Sequence, residues 1–415
     1  ALDVYVALRR SERQCRSLFG PTYRILIVPF SILGIMWLFS MLESGRRKLP
    51  QHDVEKYYNG LIKETDEYVI AGDCEIANQP RCIMIRNSEI LNQEPVTAKP
   101  DSLVFFSIGD WGCGDNNCLG QPKVPPTGES QLLVADRMGQ VADTLQPKFI
   151  LSAGDNIYFQ GVKNVDDPLW DIWRLRYNGS ALQVPWLAVM GNHDHFTSPD
   201  AQIAFSRRDP RWHMPGFYYD ATYAVPGANT TLHVVAIDTQ IMAEKTMEAD
   251  TRSCWAEKLC EGKSWIDDKK VLENRRKVAA AQMSWLDRTL SESRADWLLV
   301  VGHYPVYSGG KHGLTPELDE QLRPLLEKYH VDMFLCGHDH SLQLMESQGV
   351  QYLVNGGGAW RDPVAATPHT LFAACELGFA VHQISGDGFT TAIVAADGRT
   401  LHRTTLPPRR LAPLA

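Results

Sequence analysis

Phe149-Ile-Leu-Ser-Ala-Gly-Asp-Asn-Ile-Tyr158 sets a short apolar run against a glycine, a carboxylate and a phenol. The reading of the whole chain turns on that order. Four apolar or small residues bounded by a turn signal fit a buried strand. A glycine directly after it permits a tight turn and a close backbone approach to a ligand. The same build recurs four times. Gly109-Asp110-Trp111-Gly112 follows Leu103–Ile108, and Gly191-Asn192-His193-Asp194 follows Trp186–Met190. Gly302-His303-Tyr304-Pro305 follows Trp297–Val301, and Gly337-His338-Asp339-His340 follows Met333–Cys336.

Working outward, His233–Ile237 is a further strand candidate, and helical patterns separate the runs. One helix is expected after Ser130 and another over 274–292. A third should start at Thr315-Pro316-Glu317, where Thr can cap and Pro suits the first turn. Strands alternating with helices argue for an α/β domain, in which ligands gather at the carboxyl ends of the strands. No repeat of solenoid or propeller period is present. The tail from Leu401 is expected to hold a terminal strand followed by a frayed end.

Taken singly, each polar cluster has an ordinary explanation. Asp-x-Gly is usually a turn, and a lone His or Asp is usually exposed or hydrogen-bonded. Taken together they offer two carboxylates, a phenol, an amide oxygen and three imidazoles, enough to bind two metal ions. Oxygen and nitrogen donors suit iron, zinc or manganese. Two cations about 3.5–4 Å apart can clamp the attacking and leaving oxygens of an in-line displacement.

Asp110-x-Gly112, Gly154-Asp155-x-x-Tyr158, Gly191-Asn192-His193, Val300-x-x-His303 and Gly337-His338-x-His340 resemble the ordered signature of purple acid phosphatases. These belong to the calcineurin-like metallophosphoesterases. The resemblance runs from about residue 101 to the Leu406-Pro-Pro-Arg-Arg410 tail and is nearest to the small mammalian-type tartrate-resistant enzymes. It implies a four-layer α/β/β/α sandwich with a binuclear centre of Fe3+ and a divalent ion (Fe2+, Zn2+ or Mn2+). Asp110, Asp155, Tyr158 and His340 are then expected to hold the ferric ion, with Asp155 bridging. Asn192, His303 and His338 are expected to hold the divalent ion. His193 and His312 match the two histidines that contact substrate. The implied reaction is hydrolysis of phosphate monoesters by in-line attack of a metal-bound hydroxide, with an acidic optimum. Two segments depart from the family pattern: the loop from Cys113 to Gly128 and the stretch from Gln240 to Lys270.

Of 415 residues, 22% are charged and 44% hydrophobic, with a formal net charge of −8. That balance permits a sizeable core, and with no basic stripe beyond residue 50 it argues against a nucleic-acid partner. Ile25–Leu42 is uncharged and mostly apolar, long enough to cross a bilayer as a helix. Arg9, Arg10, Arg13, Arg16 and Arg24 precede it, and Arg46, Arg47 and Lys48 follow, which favours an inside N-terminus. We therefore expect an N-terminal stub over 1–24, a membrane helix over 25–42, a stalk or packed extension over 43–100 and the catalytic domain over 101–415. Close cysteine pairs (Cys74 with Cys82, Cys113 with Cys118, Cys254 with Cys260) suggest disulfides and an oxidising lumenal or extracellular compartment. The mitochondrial intermembrane space is the alternative. Sequons at Asn178 and Asn229 agree with a secretory route. Two rival functions stay open: a phosphatase-fold subunit of a membrane complex, and a phosphodiesterase or nucleotide hydrolase.

Overall fold

The computed structural model describes residues 68–71, 83–86, 95–112, 128–256 and 268–408. Every described residue belongs to one compact unit, Asn59–Ala415. The expected membrane helix over 25–42 lies outside the described residues. Among those described, no helix is long and apolar enough to cross a membrane.

In chain order the strands are β1 Tyr68–Ala71, β2 Ile83–Arg86, β3 Leu103–Ile108, β4 Ile150–Ser152, β5 Trp186–Ala188, β6 Trp212–His213, β7 Tyr219–Ala224 and β8 Thr231–Ala236. They continue with β9 Trp297–Val301, β10 Met333–Cys336, β11 Leu342–Ser347, β12 Val350–Asn355, β13 Thr370–Ala374, β14 Gly378–Ser385, β15 Gly388–Ala395 and β16 Thr400–Leu406. The helices are α1 Gly128–Leu145, α2 Asp171–Arg174, α3 Pro199–Phe205, α4 Thr239–Met242, α5 Glu244–Ala256, α6 Lys269–Glu292, α7 Pro316–Gln321 and α8 Arg323–Lys328.

The strands form two sheets. One has nine strands in the order β1-β2-β13-β11-β12-β10-β9-β8-β7, the other seven in the order β16-β15-β14-β3-β4-β5-β6. Strands β3 to β6 run parallel in the smaller sheet, as do β8, β9, β10 and β12 in the larger. The two-residue alternation of a strand sorts the core. Phe105 of β3 packs inward with Leu151, Leu232, Val234, Leu299, Leu335 and Leu353 between the sheets. Its neighbours Val104 and Phe106 face the other way, onto Val134, Met138 and Ala142 at helical spacing on α1. Val235, Leu298, Val300 and Phe334 of the larger sheet pack on Leu286 and Leu290 of α6 and on Leu318 and Leu326. The layers thus run helix, sheet, sheet, helix, a mixed α/β two-sheet fold.

Several local expectations shift. Strands β3, β9 and β10 match their expected bounds, whereas α6 starts at Lys269, because Asp268 caps it by accepting from Lys270 N and Val271 N. Thr315 occupies the cap position of α7 but makes no side-chain cap bond. Within the stretch read as a stalk or packed extension, β1 and β2 join the larger sheet through the pairing of β2 with β13. The strands β11 to β15 were not anticipated, whereas β16 is the terminal strand expected from Leu401.

His382 on β14 is fully buried, with Nε2 2.8 Å from Ser107 Oγ and Nδ1 2.9 Å from Thr391 Oγ1. Burial pushes its pKa down to about 3. The unfolded chain takes up that proton near pH 6.5, so stability is complete above 6.5 and falls as pH drops toward 3. At pH 4.5 the loss is about 2–3 kcal/mol. We expect His382→Gln to flatten the fall in melting temperature between pH 7 and 4.5. An unchanged slope would mean that this imidazole does not govern acid stability.

Candidate metal centre

Each polar cluster emerges at the carboxyl end of a parallel strand, and the strands come from both sheets. Asp110 follows β3, Asp155 and Tyr158 follow β4, and Asn192 and His193 follow β5 of the smaller sheet. His303 follows β9, and His338 and His340 follow β10, of the larger. The chain must leave each strand abruptly to aim these groups at one point. Asp110 (φ 57°), Asp155 (φ 49°) and His338 (φ 71°) all adopt left-handed backbone, which costs a non-glycine residue about 1–3 kcal/mol.

The donors meet. Tyr158 donates its hydroxyl to Asp110 Oδ1 at 3.1 Å and lies 3.2 Å from His340 Nε2. His340 Nε2 is 3.6 Å from Asp110 Oδ1. His303 Nε2 is 3.4 Å from Asp155 Oδ1 and 3.1 Å from Asn192 Oδ1. Asp110, Asp155 and His303 offer ligand atoms within 4.8 Å of one another. The His338 ring lies 5.3 Å from that of His303 and 4.2 Å from that of His312. His193 sits with Nε2 3.9 Å from Asp155 Oδ2. All nine residues singled out from the sequence are therefore gathered at one place.

Charge explains what the cluster is suited to hold. Burial pushes the Asp110 carboxyl up to about 7. Burial acts the same way on Asp155, but the His303 and His193 imidazoles outweigh it and hold that carboxyl below its ordinary range. For His303, burial opposes protonation, yet Asp155 and Asp110 raise its pKa to about 10. Burial and four neighbouring imidazoles push His338 well below 6.5. Without a cation, buried carboxylates and imidazoles here share protons. A metal ion binds deprotonated ligands and would take the place of those protons. The imidazoles are also held for it. His303 Nδ1 donates to the Ala153 carbonyl at 2.7 Å, leaving Nε2 for a ligand, and His340 Nδ1 faces Asp362 Oδ2 at 3.1 Å.

A family model for calcineurin-like phosphoesterases matches residues 104–342, the span that carries all nine residues. The chain belongs to the calcineurin-like phosphoesterase family. Tartrate-resistant acid phosphatase type 5 of Homo sapiens is 33% identical over 324 residues, covering 74% of this chain and 92% of that relative. Purple acid phosphatase 7 of Arabidopsis thaliana is 33% identical over 328 residues, covering 76% and 90%. Among solved structures, GAP50, the anchor in the inner membrane complex of Plasmodium, is similar with a TM-score of 0.59 and 25% identity, covering 74% of this chain and 90% of that one. This phosphoesterase is metal-dependent, and its curated relatives are named acid phosphatases.

Beneath the centre of this calcineurin-like phosphoesterase lies a polar network that reading the motifs overlooked. Asp194, fully buried, accepts from Gly191 N, Asn156 N, Ile157 N and Gln202 Nε2. Trp111 Nε1 donates to Ser152 Oγ, whose hydroxyl donates to Asn156 Oδ1. Three ligand-bearing loops are thereby tied together. Asp339, between the two histidines of its motif, accepts from His312 N and from the Ser308 hydroxyl, and so places His312. Position alone could have flagged Asp194 and Asp339, since each is flanked by candidate donors. Asp362 carries no such local signal.

Close packing makes a prediction. A Cβ on Gly191 would lie 2.0 Å from Asp155 Oδ1 and 2.3 Å from Asp155 N. Neither can retreat without moving the loop that carries Tyr158. Gly191→Ala should destabilise the fold by about 2–3 kcal/mol and lower the metal content of the purified chain. Wild-type melting temperature and metal content would remove Gly191 from the account.

Proposed function

We propose that this chain is a membrane-anchored acid phosphatase that hydrolyses phosphate monoesters at a pair of cations, Fe3+ and a divalent ion. The reading rests on one observation above others. Two buried carboxylates, Asp110 and Asp155, converge with Tyr158, Asn192, His303, His338 and His340; burial and the Asp155 charge raise the Asp110 carboxyl, while the His303 and His193 imidazoles hold Asp155 low against its burial. Asp110, Asp155, Tyr158 and His340 would hold the ferric ion, and Asn192, His303 and His338 the divalent one, with Asp155 between. The pair would supply Lewis acidity and an activated water.

The remaining work falls to the side chains. Tyr158 is an anionic oxygen donor once its proton is lost, and that suits a trivalent ion. His193 is oriented by Nδ1, which lies 2.7 Å from the Phe159 carbonyl, so Nε2 faces the site. His312 approaches from the opposite loop. When protonated, the two would neutralise the phosphoryl oxygens and return a proton to the leaving group. Burial lowers the pKa of both, so their charged forms accumulate only in acid, in line with an acidic optimum.

The apolar stretch Ile25–Leu42 supports the anchor. The exposed sequons Asn178 and Asn229 and the disulfide-bonded Cys254 support an oxidising lumenal or extracellular compartment, with the mitochondrial intermembrane space as alternative. Cys336 and Cys375 are buried thiols. The similarity to the GAP50 anchor favours a second reading, an assembly subunit with this fold. One experiment separates them. The purified full chain is assayed for metal content, visible absorption, and hydrolysis of a chromogenic phosphate monoester and diester. Two metal ions, colour lost in Tyr158→Phe and faster monoester turnover support the phosphatase. A colourless, inactive chain after metal loading supports the assembly role, and faster diester turnover points to a phosphodiesterase.

A further inference from the structure

Helix α5 lies in the Gln240–Lys270 stretch that departs from the family pattern, and it delivers Asp250 to the edge of the centre. Asp250, His312 and His338 each offer a ligand atom, and these atoms lie within 4.8 Å of one another. We propose that these three residues form an outer seat for a divalent cation, beside the pair of seats described above. One carboxylate with two imidazoles is a donor set that zinc, manganese and ferrous iron accept.

The three donors are held in place by different parts of the fold. Tyr304 donates its hydroxyl to Asp250 Oδ2 at 2.5 Å, which fixes the carboxylate and leaves Oδ1 for a ligand. Asp339 accepts from His312 N at 2.8 Å and so pins the loop carrying that imidazole. His338 stands at the end of β10, its ring 4.2 Å from that of His312. Exposure grades across the set: His312 is the residue most open to solvent, though its ring is largely desolvated, Asp250 is half-buried and His338 buried. The seat therefore opens to solvent on one side and meets the inner centre on the other.

His338 belongs to both donor sets, and in this respect the inference rests on its assignment to the divalent ion. A neutral imidazole offers one lone pair, so His338 serves one seat at a time. The outer seat is an alternate position for the divalent ion, reached from solvent. An ion there also withdraws His312 from substrate.

The test removes an inner donor and asks whether a second ion still binds. Co2+ is titrated calorimetrically into the full chain carrying His303→Ala, and into the same chain with Asp250→Asn added. The first should take up two ions, one at the ferric seat and one at the outer seat. The second should take up one, or bind the other at least tenfold more weakly. Matching isotherms overturn the outer seat, as does a single ion in His303→Ala alone. If circular dichroism shows that His303→Ala does not fold, Asn192→Ala carries the same comparison. Ester hydrolysis by the unaltered chain is measured alongside. An Asp250-dependent ion without hydrolysis sinks the phosphatase reading and keeps the seat, and the reverse outcome does the opposite.

Discussion

Asp155→Ala should lower kcat/KM for a phosphate monoester by at least about 10,000-fold, or about 5–6 kcal/mol of transition-state stabilisation. The Asp155 carboxyl meets Tyr158 of one proposed donor set and His303 of the other. Its Oδ1 accepts from His193 N at 3.0 Å and lies 3.4 Å from His303 Nε2, while its Oδ2 faces the His193 ring. In the proposed arrangement it is the donor common to both cations. Removing it takes away the charge that holds them together, and the Lewis acidity goes with them. Asp155→Asn separates charge from shape. It keeps the volume and the bond from His193 N, so the fold should persist while metal content falls from two ions toward one. Measured turnover within tenfold of wild type, with both ions retained, would be incompatible with a two-cation mechanism at this site.

His193→Ala is expected to reduce kcat by about 100–1,000-fold and to leave metal content near wild type. The geometry separates this residue from the ligands. Its Nδ1 is committed to the Phe159 carbonyl, and its ring packs against Tyr158 at 4.4 Å and Phe196 at 5.0 Å. The other nitrogen faces Asp155 at a distance longer than a hydrogen bond, the place of a group that acts on what binds between them. Because burial depresses its pKa, the wild-type rate should climb as pH falls below about 6.5, and the variant should lose that climb. Unchanged kcat would remove His193 from the chemistry, and lost metal would make it a positioning group for Asn192.

Much of this was legible in the sequence because it is local. A run such as Leu103–Ile108 declares a buried strand by its own composition, and Gly109 and Asp110 declare an abrupt exit from it. Both depend on neighbours in the chain. The long-range partners were not legible in the same way. Strand β4 is three residues long and says nothing of its parallel neighbours, β3 and β5. Strands β11 to β15 alternate too imperfectly to announce themselves, since both faces of β14 are buried. Asp250 and Asp362 look like ordinary surface carboxylates until α5 and the loop before β13 bring them to the imidazoles.

By itself the sequence determined the family, the order of the donors and the chemistry that those donor types permit. Tertiary structure decided that the donors issue from two different sheets, with Asp110, Asp155 and Asn192 meeting His303, His338 and His340 across the gap between them. It also decided which buried carboxylates orient which loops. The physical reason is one of range. A strand end and its glycine are shaped by hydrogen bonds and torsions among adjacent residues, whereas the meeting of two sheets is shaped by the apolar core packed between them, built from side chains scattered from Leu103 to Leu401.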